Sequence, residues 1–191
     1  MLNEVTEQIR SNYDKYSMFS VLLFTEEHPF IVKALKDPDI YDALNQLTGP
    51  NLLLFTSMLF KGRYRYPSPP PGVLANLCPI WVEPKENLKL LPLFKINDSR
   101  DLPLLVLFAF SENDPDLYWM THEINDNSKN DVFNSIRKAV GPIVLDISGS
   151  LNEPRKKIFQ RARWSMRKLH AKKKLKDLLE IIGLVRGAAG M

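Results

Sequence analysis

Three short apolar runs constrain this chain more than any other feature. They are Met18-Phe19-Ser20-Val21-Leu22-Leu23-Phe24, then Leu52-Leu53-Leu54-Phe55 with Met58-Leu59-Phe60, and Leu102-Pro103-Leu104-Leu105-Val106-Leu107-Phe108-Ala109-Phe110. None carries a charge, and none alternates polar with apolar as a half-solvated strand does. Runs of this length and composition fit strands buried on both faces of a sheet. They also fall far short of the roughly 18 apolar residues that span a bilayer.

The segments between them read as covering elements. Leu2, Val5, Ile9 and Tyr13 recur at steps of three or four, which predicts an amphipathic helix over residues 1–16. Pro29 suits a first helical turn, and Phe30, Ile31, Ala34 and Leu35 form a stripe behind it. Pro38 then interrupts, and Asp37 or Asp39 can cap a continuation through Ile40, Ala43, Leu44 and Leu47 to Gly49-Pro50. Residues 17–60 thus spell strand, helix, strand, a parallel crossover. The prolines of residues 61–100 mark an insertion or covering loop, in which 73–82 and 88–96 are apolar enough for edge strands. A hairpin follows, with residues 102–110 and 117–124 joined by a turn at 111–116. Ser128 caps a helix with Asp131 three residues on, and Gly141-Pro142 is expected to end it. A short strand is expected at 143–147, and Ser148-Gly149-Ser150 reads as a hinge.

Charge divides the chain in two. Residues 1–150 hold 14 Lys and Arg against 19 Asp and Glu, whereas residues 151–191 hold 12 against 3. The overall +4 conceals a mildly acidic body and a strongly basic tail. A domain over residues 1–147 with an insertion at about 61–100, followed by a basic helical extension over 151–191, is therefore expected. The opening residues lack the basic region and apolar core of a secretory signal, which makes the cytoplasm the expected compartment.

The order of elements resembles the thioredoxin-like fold over roughly residues 17–141. The sharpest likeness is Asp101-Leu102-Pro103-Leu104-Leu105-Val106, similar to the segment in which that family's cis-proline opens the third core strand. Pro103 would be that proline. The resemblance implies an α/β fold with a mixed central sheet, βαβ then ββα, flanked by helices. That family's redox enzymes place a cysteine pair at the N-terminus of the first helix, where the dipole lowers a thiol pKa. Here Glu26-Glu27-His28-Pro29 stands in that place, and thiol–disulfide chemistry does not carry over. Peptide docking beside Glu26, Glu27, His28 and Pro103 is the binding role the resemblance leaves.

The remaining chemistry is a matter of elimination and charge. Cys78 is the single cysteine, which excludes an internal disulfide and a multi-thiolate zinc site. No phosphate loop, dinucleotide fingerprint or nucleophile elbow occurs, so no catalytic residue, cofactor or metal is assigned. Thr121-His122-Glu123 lies on a strand where neighbours face opposite ways, and simple capping accounts for Glu26, Glu27 and His28. Lys61-Gly62-Arg63-Tyr64-Arg65-Tyr66 alternates at strand spacing, as an edge strand or a phosphate-gripping ribbon would, and the Tyr-Pro-rich residues 64–72 offer an extended docking segment.

The tail is the more informative feature. Arg161, Arg163, Trp164, Arg167, Lys168, Lys172, Lys173, Lys174 and Lys176 make a cationic surface with a stacking ring, suited to nucleic acid or another polyanion. Ile158, Phe159, Ala162, Met166 and Leu169 share one face, whereas Leu175, Leu178, Leu179 and Ile182 fall on nearly the opposite one. The helix either bends or breaks near Lys172, or its halves dock on different surfaces, the second on a protein partner. A solvated helix face and an intramolecular clamp on the acidic body compete equally with polyanion binding, and an anionic membrane ranks behind them. The expected function is a non-catalytic binding or adaptor protein. Its rival is an enzyme of unrecognised type using Glu26, Glu27 and His28.

Overall fold

The computed structural model describes residues 2–58, 77–81, 87–110, 117–150 and 153–188. In chain order the elements are α1 (Leu2–Asn12), β1 (Met18–Leu23), α2 (Pro29–Lys36), α3 (Pro38–Thr48), β2 (Leu52–Met58), β3 (Leu77–Trp81), a 3-10 segment (Asn87–Phe94), β4 (Leu104–Phe110), β5 (Leu117–Glu123), α4 (Lys129–Ile147) and α5 (Arg155–Ala188). The three apolar runs have become β1, β2 and β4. The strands form one mixed sheet in the order β3-β2-β1-β4-β5. β1 is parallel to β2 and β2 to β3, whereas β4 is antiparallel to both β1 and β5.

Every residue of β1 is buried, so both faces of the sheet are covered. One face, carrying Met18, Leu22, Leu54, Leu105 and Leu107, packs on α2, α3, α4 and the first half of α5. The other, carrying Phe19, Val21, Phe55, Val106 and Phe108, packs on Ile9 of α1 and on Leu90, Leu91 and Phe94 of the 3-10 segment. Phe19 lies at the centre of this second layer, with ring centroids 6.3 Å from Phe55 and 5.9 Å from Phe108.

Pro38 divides the crossover into two helices. The residue before a proline is pushed out of the helical region, and Asp37 is extended, at φ −76 and ψ 115. Its carboxylate accepts from the amides of Asp39 and Ile40 at 3.2 and 3.4 Å, which caps α3. Lys129, at the start of α4, donates to the same carboxylate. That bond is the leading reason why the Asp37 carboxyl is held below its ordinary value of 3.8.

Several local expectations need correction. Gly141-Pro142 does not end α4, which runs on to Ile147, and residues 143–147 are helix rather than strand. Ile143 and Ile147 continue the buried face of Val132, Ile136 and Val140. Pro142 removes one amide from the helix ladder, a loss that burial of Ile143 and Ile147 outweighs. Ser148-Gly149-Ser150 forms a turn: Gly149 adopts φ +79, and Ser150 is buried with its amide bonded to the Ile147 carbonyl at 3.1 Å. Of the two suspected edge strands, Leu77–Trp81 is one, whereas residues 88–96 form mainly the 3-10 segment, which buries Leu90, Leu91 and Phe94. The ribbon at 61–66 and the segment 64–72 lie outside the described residues, as does the Cys78 side chain. No helix among the described residues is long and apolar enough to cross a membrane.

Phe19→Ala is expected to cost about 3–5 kcal/mol in urea unfolding, because it leaves a cavity among packed rings. Leu145, 79% exposed on α4, is the control. Its change to Ala should stay within about 0.5 kcal/mol.

Candidate functional site

Helix α5 is long because no proline interrupts it: after Pro154 its residues are mostly strong helix formers, with Gly183 and Gly187 near its end. It runs unbroken for 34 residues, roughly 50 Å, straight through Lys172, Lys173 and Lys174. Of the two alternatives the sequence leaves, a break at the lysine run is not the one taken, and the side chains of the second half lie outside the described residues. Ile158, Phe159, Ala162 and Met166 enter the core between α4 and the sheet, with Leu169 half-buried behind them. At the start of the helix, Arg155 is buried with its guanidinium 3.6 Å from the centroid of the Tyr13 ring, and it donates to the Tyr13 carbonyl. Ser165 donates to the Asp146 carboxylate of α4. These contacts fix the rotation of α5 about its axis.

With the buried seam fixed, the polar residues fall into two stripes. On the side of α4, Lys157, Arg161, Trp164 and Lys168 recur at helical steps beside Asp146 and Glu153, around an open hollow of about 660 Å3. Arg161 is engaged within the molecule, 3.0 Å from Glu153 and 2.6 Å from the Ser150 hydroxyl. Trp164 is 59% exposed, with the Lys168 ammonium 5.6 Å from its ring centroid. On the side of β5, Arg163 and Arg167 are exposed one turn apart, followed by His170. The structure thus separates Arg161, Trp164 and Lys168 from Arg163 and Arg167. Lys172, Lys173, Lys174 and Lys176 continue the helix, and their side chains lie outside the described residues.

The second group of expected site residues meets at one end of the sheet. Leu23 pairs with Leu104 and Glu123 with Leu104, so the loop after β1, Pro103 and the loop after β5 all emerge there. The Leu102–Pro103 peptide bond is cis, and the Pro103 carbonyl accepts from the Ile124 amide at 3.0 Å. His28 precedes α2 without capping it. Its Nδ1 accepts from the Thr25 amide at 3.0 Å and lies 3.0 Å from the Thr25 hydroxyl. Glu26 and Glu27 are exposed.

The cap of α2 comes from elsewhere. Asp126 accepts from the Ile31 amide at 2.8 Å across 95 residues of sequence. It supplies the acceptor that the helix start needs, which corrects the expectation that residues 26–28 do so. Burial raises the Asp126 carboxyl above its ordinary 3.8, against the lowering effect of the Ile31 amide, the charge of His28 and the Phe30 amide.

Asp126, Arg155 and His170 were not singled out by the sequence. Asp126 sits in Asn125-Asp126-Asn127-Ser128, which reads locally as the lead-in to α4, and no local pattern points to a helix 95 residues away. His122 and His170 face each other with Nδ1 and Nε2 3.5 Å apart. No group of three or more His, Cys, Asp or Glu able to hold a metal occurs among the described residues. Compared with protein-family models, curated proteins and solved structures, the chain has no significant match.

Asp126→Ala should destabilise by about 1 kcal/mol, the usual value of a helix cap, and Asp126→Asn by less because it keeps the acceptor. The pH dependence has a definite sign. A carboxyl raised by folding binds its proton more tightly in the folded state, so its contribution is most favourable below 3.8 and falls as pH rises through the raised value. Urea midpoints taken across that range should show Asp126→Asn gaining on the parent as pH increases.

Proposed function

We propose that this is a non-catalytic binding or adaptor protein. Its body is a thioredoxin-like domain without the redox cysteine pair, and its cationic C-terminal helix contacts nucleic acid, another polyanion or a partner protein. An anionic membrane surface ranks third, and the cytoplasm is the compartment this reading assigns.

The observation that carries the reading is the clamping of α5. Burial of Ile158, Phe159, Ala162 and Met166 and the seating of Arg155 on Tyr13 hold the first half of the helix against the body. Arg163, Trp164, Arg167 and Lys168 are therefore presented from a rigid support, and all four are exposed. A preformed cationic surface avoids the ordering cost that a loose tail incurs on binding. No motif in its sequence supplies base-specific readout, so contact with nucleic acid would be through phosphate, without sequence preference.

The thioredoxin-like reading of the body is supported by the order β2-β1-β4-β5, in which β1 is parallel to β2 and β4 is antiparallel to both β1 and β5. The crossover α2–α3 and helix α4 also share one face of the sheet, and Pro103 stands immediately before β4. At the helix start where the family's redox enzymes carry their cysteines, this chain brings the carboxylate of Asp126 onto the Ile31 amide. The positive end of the helix dipole is met by an internal group. That end of the sheet, with Glu26, Glu27, His28 and Pro103, belongs to the proposal as a peptide-docking surface.

Titration of generic duplex and single-stranded nucleic acid at two salt concentrations is the test. If about six cationic side chains neutralise phosphates, log affinity for duplex should fall with log salt at a slope of roughly −5. Gln at Lys172, Lys173 and Lys174 should abolish binding, and Ala at Glu26, Glu27 and His28 should leave it intact. The opposite pattern in a turnover assay would favour the rival enzyme. Affinity that ignores salt removes phosphate contact from the reading.

A further inference from the structure

The outer edge of β5 and the second cationic stripe of α5 enclose one groove. Its lining includes five consecutive residues of β5, Leu117 to Thr121. Side chains alternate between the faces of a strand, so five successive residues can border one hollow only where the hollow runs along the strand's edge. The opposite wall is α5, with Arg163, Arg167 and His170 on successive turns and Phe159 below them. The Phe159 and Tyr118 rings stack at 5.6 Å and form an apolar floor. The hollow measures about 490 Å3, and among the described residues that line it there is no carboxylate.

β5 ends the sheet, and among the described residues no strand pairs with its outer edge. Edge strands are usually blunted by proline, lysine or a bulge. Leu117–Glu123 reads LYWMTHE and has neither proline nor lysine, and its register with β4 is unbroken through all seven pairs. Along Leu117 to Thr121 the outer edge therefore borders the groove, beside Arg163 and Arg167.

We infer that this groove takes an acidic peptide in extended conformation, which adds to the sheet as a sixth strand beside β5. The inference deepens the adaptor reading and rests on it, naming the partner's chemistry. Strand addition supplies affinity through main-chain bonds and specificity through alternate side chains. The spacing fits: Arg163 and Arg167 are separated by four residues, about 6 Å along the helix axis, and alternate residues of an extended chain repeat at about 6.8 Å. Carboxylates two residues apart on the incoming strand thus meet the two guanidinium groups in turn, where Arg–carboxylate pairing is strong and directional. A second copy of this chain is a poor occupant. Pairing two β5 edges about a twofold axis would bring four arginines together, and like charges in close apposition oppose association.

The probe is a fluorescein-labelled heptapeptide alternating Glu with Val and Thr, measured by anisotropy against the full chain. Two control peptides carry Lys in place of Glu, or N-methyl groups on alternate amides. Binding of the acidic peptide is expected, with a loss of roughly tenfold or more in Arg163→Glu and again in Arg167→Glu. The lysine peptide and the N-methylated peptide should each bind at least about tenfold more weakly. Hydrogen exchange needs no variant. On adding the acidic peptide, amides of residues 117–121 should gain protection.

Failure of the acidic peptide to bind, or binding indifferent to N-methylation, overturns the inference. So does protection elsewhere than β5, or a dimer in sedimentation that buries this edge. If the acidic peptide fails while duplex nucleic acid still binds with a steep salt slope, the adaptor reading stands and this inference falls. If both fail, both fall.

Discussion

Burial of β1 on both faces is the constraint from which the rest follows. Six consecutive residues without contact with water require a neighbour on each side and a layer above and below. The neighbours are β2 and β4, and the layers are four helices on one face and α1 with the 3-10 segment on the other. Helix α5 is part of one layer. Its first half is held because the sheet needs Ile158, Phe159, Ala162 and Met166, and Arg163 and Arg167 face outward because the opposite side is committed to the core. The cationic surface is thus a consequence of hydrophobic packing, and its geometry is as rigid as the packing.

The strands were legible in the sequence because their signal is local. An apolar run of the right length has few alternatives, and β1, β2, β4 and β5 fall within the segments that their residues predict. Asp37 as a cap and Ser128 with Asp131 were readable for the same reason, since a cap and its amides are neighbours in sequence. The misreadings at Gly141-Pro142 and at residues 88–96 share a cause. Local punctuation argued for a stop or an extended strand, but burial of Ile143 and Ile147 in one case, and of Leu90, Leu91 and Phe94 in the other, decided the conformation. Tertiary burial worth several kcal/mol outweighs a propensity worth about one to three.

The candidate site was legible only as composition. A cationic helix with a tryptophan can be read from residues 155–176, but the partition of that helix into two stripes depends on which residues the core claims. Arg161 illustrates the difference. In sequence it is equivalent to Arg163, whereas in the fold it is bound to Glu153 and Ser150 while Arg163 is exposed. Asp126 is the converse case, a residue with an ordinary local role that caps a helix from a distant loop. Long-range pairings of this kind leave no trace in local spacing.

The two edges of the sheet show why charge collects where it does. β3 is five residues long and carries Pro79, which cannot donate and therefore discourages pairing without help from any other element. β5 is seven residues long, has no proline and keeps full register with β4. Left bare, such an edge would pair with its own kind. Arg163 and Arg167, standing beside it on α5, make that encounter repulsive. The same two charges that discourage a second copy favour a strand bearing carboxylates, so protection against self-association and selectivity for an acidic partner are one electrostatic device.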